Sequence, residues 1–204
     1  GDYVIIGVTG FAGSGKSYVS KIMKEKAESA LMKKVLVIDA DRVGHDVLSL
    51  FFIRQELVKA FGNDILNENG EIDRKALGRK VFSSRAKLSF LNATVHPVIR
   101  HEVEKMLKEK EKSYDIIIID AALLDQIKLA EMCNIIVLVE CSEDKRVDRL
   151  ILNRSIPIEK AHAIVQSQKE LNLGRSDFKI INEGNFESTC RQVEEFLSQL
   201  TSVE

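Results

Sequence analysis

Gly10-Phe11-Ala12-Gly13-Ser14-Gly15-Lys16-Ser17 satisfies G-x-x-x-x-G-K-[ST], and its flanks decide the fold. Val4 to Thr9, immediately before it, is a short apolar run, and an amphipathic pattern begins at Lys16. A strand, a glycine-rich turn and a helix in that order make a cradle for phosphate. The glycines let successive N–H groups turn inward onto an anion, and the helix adds the positive end of its dipole. Lys16, expected to face solvent, would reach the terminal phosphates, and Ser17 would ligand Mg2+. Gly10, Ala12, Gly13, Ser14, Gly15, Lys16, Ser17 and Tyr18 are the expected nucleotide contacts.

Working outward, Val35 to Ile38, Ile116 to Ile119 and Ile135 to Val139 are also β-branched runs without alternation, and Phe178 to Ile181 is a weaker fifth. Such runs suit parallel strands covered on both faces. With amphipathic segments between them they predict a three-layer α/β/α fold of the P-loop kinase kind, with a parallel sheet of about five strands. Ligands on such a sheet bind at the carboxyl ends of the strands.

About seventy residues separate the second run from the third, far more than a crossover needs. Helical periodicity at Leu57, Val58 and Phe61, and again at Leu77, Val81 and Phe82, predicts a helical substrate-binding insertion over about 53–112. Pro97 is placed in the first turn of a helix running to about Lys112. The polar, basic stretch 153–175 has Pro157 set to begin one short helix and Gly174 to end a second. It reads as a lid, with an ordinary helical hairpin as the alternative. The core then comprises about 1–52, 113–152 and 176–204, and the 204 residues form one domain.

Lys+Arg 30 against Asp+Glu 31 leaves no global basic surface, which argues against a nucleic-acid partner. No apolar run approaches the roughly 20 residues that span a bilayer, and Tyr3 to Thr9 is too short for a signal-peptide core. Cys133, Cys141 and Cys190 lack histidines at metal-ligand spacing and read as free thiols of a reducing, cytoplasmic protein.

Phosphoryl transfer to a hydroxyl needs a carboxylate near the metal and another to orient or deprotonate the acceptor. The second run ends in Asp39-Ala40-Asp41 and the third in Asp120. Asp41 is a candidate base or a helix N-cap before Val43 to Leu50, and the two roles are compatible. Asp120, after four isoleucines, is a candidate Mg2+ partner or a turn cap. The N-K-x-D sequence with which Ras-type GTPases read guanine is absent.

Beyond the phosphate loop the chain resembles the dephospho-CoA kinase family at ordered positions along nearly its whole length. These are Ile38-Asp39-Ala40-Asp41; Phe61-Gly62 with Ile65-Leu66, Gly70, Ile72-Asp73-Arg74, Leu77 and Val81-Phe82; His96-Pro97-Val98-Ile99; and Ala121-Ala122-Leu123-Leu124. Arg149, Arg154, Gln168 and Ser176 to Gly184 complete the pattern. The chain departs from it at Phe11, where a glycine is usual, at Ala122 for proline, at Ile181 for aspartate, and in an Arg149–Arg154 spacing one residue longer.

The resemblance implies ATP and Mg2+ as cofactors and the ribose 3′-hydroxyl of dephospho-CoA as acceptor. It implies Asp41 as the acceptor-activating residue, and Arg74, His96 and Leu123 as substrate contacts. Asn182 becomes a nucleotide contact, and Arg149 or Arg154 closes over the phosphates. For Arg74 the alternative is a solvated helix start, and for His96 a structural hydrogen bond. A monomer without membrane or nucleic-acid partners is expected. A nucleoside or nucleoside-monophosphate kinase, or an ATP-binding regulatory protein without transfer activity, are the alternatives.

Overall fold

The computed structural model describes residues 3–201, built on a five-stranded sheet. The strands are β1 (Val4–Thr9), β2 (Val35–Asp39), β3 (Ile116–Asp120), β4 (Ile135–Glu140) and β5 (Phe178–Ile181). They lie in the order β2-β3-β1-β4-β5 and every pairing is parallel. All five runs read from the sequence are strands, three of them longer by the polar residue that closes them, Asp39, Asp120 or Glu140.

The chain divides into two compact units, one comprising the residues up to Asp39 and from Leu107 onward, the other Ala40–Met106. In the first, α1 (Lys16–Ala30) follows β1 through the glycine loop. The second unit holds α2 (Ala40–Val47), α3 (Phe51–Phe61), α4 (Arg74–Phe82) and most of α5 (Arg85–Lys110). The first then resumes with α6 (Glu143–Arg154), α7 (Ile158–Ser167) and α8 (Phe186–Thr201).

In the first unit α1 and α8 pack together on one face of the sheet. Val19, Ile22 and Met23 of α1 and Val193, Phe196 and Leu197 of α8 join Ile6, Val8, Ile118, Val137 and Ile180 in one apolar cluster. Each such side chain fully buried contributes roughly 1.5–3 kcal/mol. On the opposite face a Cβ at Gly7 would lie 2.8 Å from both Cys133 Sγ and Leu124 Cδ2, so the chain after β3 packs directly on backbone. Separately, Val147 and Leu150 of α6 pack on Ala161 and Val165 of α7.

In the second unit Ile53, Leu57 and Phe61 of α3 and Leu77 and Val81 of α4 are buried, so the helical periodicity marked real faces. Of the other two marked positions, Val58 is half-buried and Phe82 is 77% exposed. Asp73 caps α4, its carboxylate accepting from the N–H groups of Lys75 and Ala76.

Two expectations fail. Pro97 lies inside α5, which begins at Arg85, and not in a first turn. An interior proline removes a helical hydrogen bond and costs about 3 kcal/mol. Buried Val95, Ile99, Val103 and Leu107, four residues apart, supply the tertiary packing that offsets it. Pro157 does precede α7, but the second helix that Gly174 would end is not formed: the residues between Gln168 and β5 are non-helical. There Asn172 Oδ1 accepts the Gly174 N–H at 2.8 Å, a local bond that competes with helix, and Gly174 has φ +77°.

Among the described residues no helix is long and apolar enough to cross a membrane. Cys133, Cys141 and Cys190 are free thiols.

Candidate active site

The phosphate loop occupies the carboxyl end of β1, as a doubly wound sheet requires. Gly13 (φ +80°) and Gly15 (φ +86°) take left-handed conformations that close the loop. Side chains there would also collide: a Cβ at Gly13 would meet the Arg146 carbonyl oxygen at 2.5 Å, and one at Gly15 would run into the Asn182 amide. Gly15 is followed by the first turn of α1, so the loop leads directly into a helix N-terminus.

Lys16 is 5% exposed. The expectation of a solvent-facing lysine is corrected: its stem is packed as the first residue of α1, which restricts where the ammonium can go. Ser17 and Tyr18 are exposed. Ser17 Oγ donates to Asp120 Oδ2 at 2.7 Å, joining the loop to the end of β3. Asp120 is 3% exposed, and its Cα is in register with that of Asp39 on β2. Carboxylates thus stand at neighbouring strand ends, with a hydroxyl already on one of them.

The back of the loop is held by side chains from α6 and from the segment after β5. Arg149 Nη1 donates to the carbonyl oxygens of Gly13 (3.2 Å) and Ser14 (3.0 Å), and Nη2 to that of Asn182 (2.6 Å). Asn182, 3% exposed, donates from Nδ2 to the Ser14 carbonyl at 3.0 Å and accepts from Thr189 Oγ1 at 3.2 Å. Its side chain is thereby committed to the loop backbone. Arg154, the last residue of α6, is exposed and pairs with no described residue. Leu123, in the turn after β3, is partly buried.

Arg146 and the function of Gln168 escaped the sequence reading. Arg146, 6% exposed, donates from Nε to the Ala12 carbonyl (3.0 Å) and from Nη2 to Gln168 Oε1 (2.7 Å), with its guanidinium 4.9 Å from the centroid of the Phe11 ring. Gln168 Oε1 also accepts the Ala12 N–H at 3.1 Å. Both polar groups of one loop residue are therefore bound by a pair of side chains. The available signal was the Arg146–Arg149 spacing of three, which puts both on one helix face. Burial pushes the Arg146 guanidinium below its ordinary pKa, and burial pushes the Cys141 thiol up beside it.

In the second unit Asp41 lies in the first turn of α2, exposed, two residues after β2 ends. Because the helix begins at Ala40, Asp41 is inside it and is not its N-cap, and the strand that ends at Asp39 does not continue through it. Arg74 opens α4, with Nη1 2.5 Å from His45 Nε2 and 2.8 Å from Nδ1 on α2. A guanidinium only donates, so whichever ring nitrogen carries no proton accepts. His96 is half-buried on α5, and desolvation pushes its pKa down.

Comparison with known proteins places nearly the whole chain in one family. Residues 4–188 match the family model described as dephospho-CoA kinase. The dephospho-CoA kinase of Fusobacterium nucleatum is 36% identical over 195 residues, 95% of this chain and 96% of that one. That of Carboxydothermus hydrogenoformans is 36% identical over 193 residues, 93% and 90% of the two chains. Among solved structures, one from Thermus thermophilus superposes with a TM-score of 0.75 at 24% identity, covering 98% of this chain and 99% of that one. A shikimate kinase from Bacteroides thetaiotaomicron reaches 0.54 at 14% identity, covering 97% and 98%, a likeness of fold.

Proposed function

The chain belongs to the dephospho-CoA kinase family, and on that premise we propose how its residues divide the reaction. The enzyme transfers the γ-phosphate of ATP to dephospho-CoA, the final step of coenzyme A biosynthesis. The observation that carries the chemistry is the Gly10–Ser17 loop at the end of β1 with its Ser17 hydroxyl on the Asp120 carboxylate.

The loop N–H groups and Lys16 hold the ATP phosphates, and Tyr18 lies beside them. Ser17 in the first turn of α1 and Asp120 at the end of β3 present hard oxygen donors side by side, a set that fits Mg2+, which takes few protein ligands beside phosphate and water. Held by Ser17 and Asp120, Mg2+ would supply charge neutralisation at the phosphate oxygens. Asp41 accepts the proton of the ribose 3′-hydroxyl as that oxygen attacks the γ-phosphorus in line and the bond to the β-phosphate oxygen breaks. In this division Arg149 and Asn182 shape the loop from behind, whereas exposed Arg154 meets the transferring phosphoryl group.

The helical insertion, about 53–112, holds the acceptor through Arg74 and His96, and Leu123 contributes from the turn after β3. The 153–175 segment acts as a lid, excluding water that would otherwise accept the phosphoryl group. Free thiols and a biosynthetic reaction that consumes ATP support a cytoplasmic enzyme, which we take to act as a monomer.

Incubation with Mg-ATP and dephospho-CoA, with mass-spectrometric detection of coenzyme A, tests the reading. AMP, CMP and nucleosides serve as competing acceptors. Transfer to one of those without coenzyme A formation would overturn it.

A further inference from the structure

We propose that Arg146 and Gln168 are positioning residues for phosphoryl transfer, which fix the two peptides of Ala12 and thereby aim the Gly13 N–H into the phosphate cradle. The inference rests on the reading of the Gly10–Ser17 loop as the ATP site.

Ala12 is held in three ways. Its carbonyl accepts from Arg146 Nε at 3.0 Å, its N–H donates to Gln168 Oε1 at 3.1 Å, and its side chain packs on the apolar cluster between α6 and α7. The two holding side chains also bind each other, Arg146 Nη2 donating to the same Gln168 oxygen at 2.7 Å. One amide oxygen thus serves two donors, and displacing either side chain loosens the other. The Phe11 ring covers the guanidinium, its centroid 4.9 Å away. Arg146 is 6% exposed, so a geometry that left its donors unsatisfied would be costly.

In a planar trans peptide the C=O and the N–H point in opposite directions. With the Ala12 carbonyl drawn to Arg146, the Gly13 N–H of the same peptide points away from that guanidinium. The Ser14 carbonyl, drawn to Arg149 and Asn182, sets the Gly15 N–H in the same manner. Each arginine of α6 therefore directs one N–H of the loop. Gly13 lacks a Cβ, so its peptide would otherwise rotate with little steric hindrance, which is why a clamp on Ala12 matters. Ala12, its own N–H engaged, then serves the nucleotide through Gly13.

Gln168 is itself anchored. It ends α7, and the chain beyond it is fastened to the turn after β3, where Gln126 Nε2 donates to the Asn172 carbonyl at 3.0 Å. Gly174 packs on that turn so closely that a Cβ there would lie 2.5 Å from Asp125 Cγ. Arg175 Nη2 adds a bond to the Cys133 carbonyl at 3.3 Å. The stretch 168–175 therefore runs from the phosphate loop to the turn that carries Leu123, and holds the Gln168 amide at a fixed place on Ala12.

Mg-ATP calorimetry and steady-state kinetics of the full chain test this with wild type, Gln168→Met, Arg146→Lys and the double variant. Gln168→Met keeps the side-chain length and removes the acceptor. It should raise Kd and KM for Mg-ATP roughly ten-fold, the effect of one misdirected hydrogen bond, with KM for dephospho-CoA at saturating ATP at its wild-type value. Arg146→Lys should do the same, and the double variant should lose no more than the larger single loss, because the pair acts on one residue as a unit. Should Arg146→Lys fail to fold, Gln168→Met at its half-buried position carries the test alone. A lowered thermal midpoint with wild-type ATP constants would reduce the pair to a structural contact and overturn the proposal, as would two losses that simply add. If wild type forms coenzyme A and Gln168→Met binds Mg-ATP as wild type does, the clamp is wrong and the function stands. If wild type forms no coenzyme A, the functional reading falls, and the Mg-ATP affinities of the variants decide the clamp by the same shift.

Discussion

Arg149 donates from Nη1 to the carbonyl oxygen of Ser14 at 3.0 Å, so α6 grips the phosphate loop by its backbone. The Gly13 and Ser14 carbonyls are taken up by this guanidinium and the Asn182 amide, while within the loop the Ala12 N–H is held by Gln168 Oε1 and the Ser14 N–H by the Phe11 carbonyl.

Arg149→Ala is therefore expected to leave carbonyl groups unsatisfied, costing about 1–3 kcal/mol and lowering the thermal midpoint while raising KM for ATP. Arg154→Ala, at an exposed helix end, should keep the wild-type midpoint and lower kcat. Thermal unfolding and kinetics on both variants in parallel separate the roles. A wild-type midpoint with reduced kcat for Arg149→Ala would move the transferring-phosphate contact to that residue.

Lys16 combines charge and packing, so alanine would remove both. Lys16→Met keeps most of the buried stem and should fold with a near-native midpoint while transfer from ATP is abolished. Turnover near wild type in the methionine variant would show that this loop is not the active cradle.

Asp41→Asn should lower transfer by roughly 10²–10⁴, the range for a lost general base, with ATP affinity within a few-fold of wild type. Single-turnover transfer together with nucleotide binding by calorimetry reads the two quantities apart. Weakened ATP binding with normal transfer per bound ATP would reassign Asp41 to the metal or to the fold.

Asp120 is buried against the Ser17 hydroxyl. Asp120→Asn keeps the shape and an acceptor for that hydroxyl but removes the negative charge, so the Mg2+ concentration for half-maximal rate should rise several-fold at saturating ATP. An unchanged Mg2+ titration would limit Asp120 to holding Ser17.

His96 sets a pH dependence of stability. Desolvation holds its folded pKa below the unfolded value of about 6.5. The unfolded chain therefore binds the extra proton more readily. The contribution is present above pH ~6.5 and is lost as pH falls through the folded pKa. Urea midpoints from pH 8 to pH 5 should fall more steeply for wild type than for His96→Gln, and parallel curves would remove His96 as the cause.

The sheet and the phosphate loop were legible because their signals are local. Four isoleucines in a row before Asp120 have no polar face to expose, which makes a buried parallel strand, and Gly13 and Gly15 mark positive φ within a stretch of eight residues. The family resemblance extended that reading along the chain and fixed the acceptor.

What escaped was set by partners distant in sequence. Arg149 reaches Gly13 across 136 positions and Arg146 reaches Ala12 across 134; the resemblance marked Arg149 as an arginine closing over the phosphates, and nothing local on α6 pointed to either carbonyl. Pro97 marks a helix start by local rule, but burial of Val95, Ile99 and Val103 continues α5 through it. A pocket lined by Arg42, His45, Arg54 and Arg74 likewise exists only once α2, the turn at Gly70 and the start of α4 are assembled. Periodicity and turn chemistry specify what each segment does with its own backbone. Which distant carbonyl a guanidinium finds depends on the packing of whole elements, so only the tertiary structure decided it.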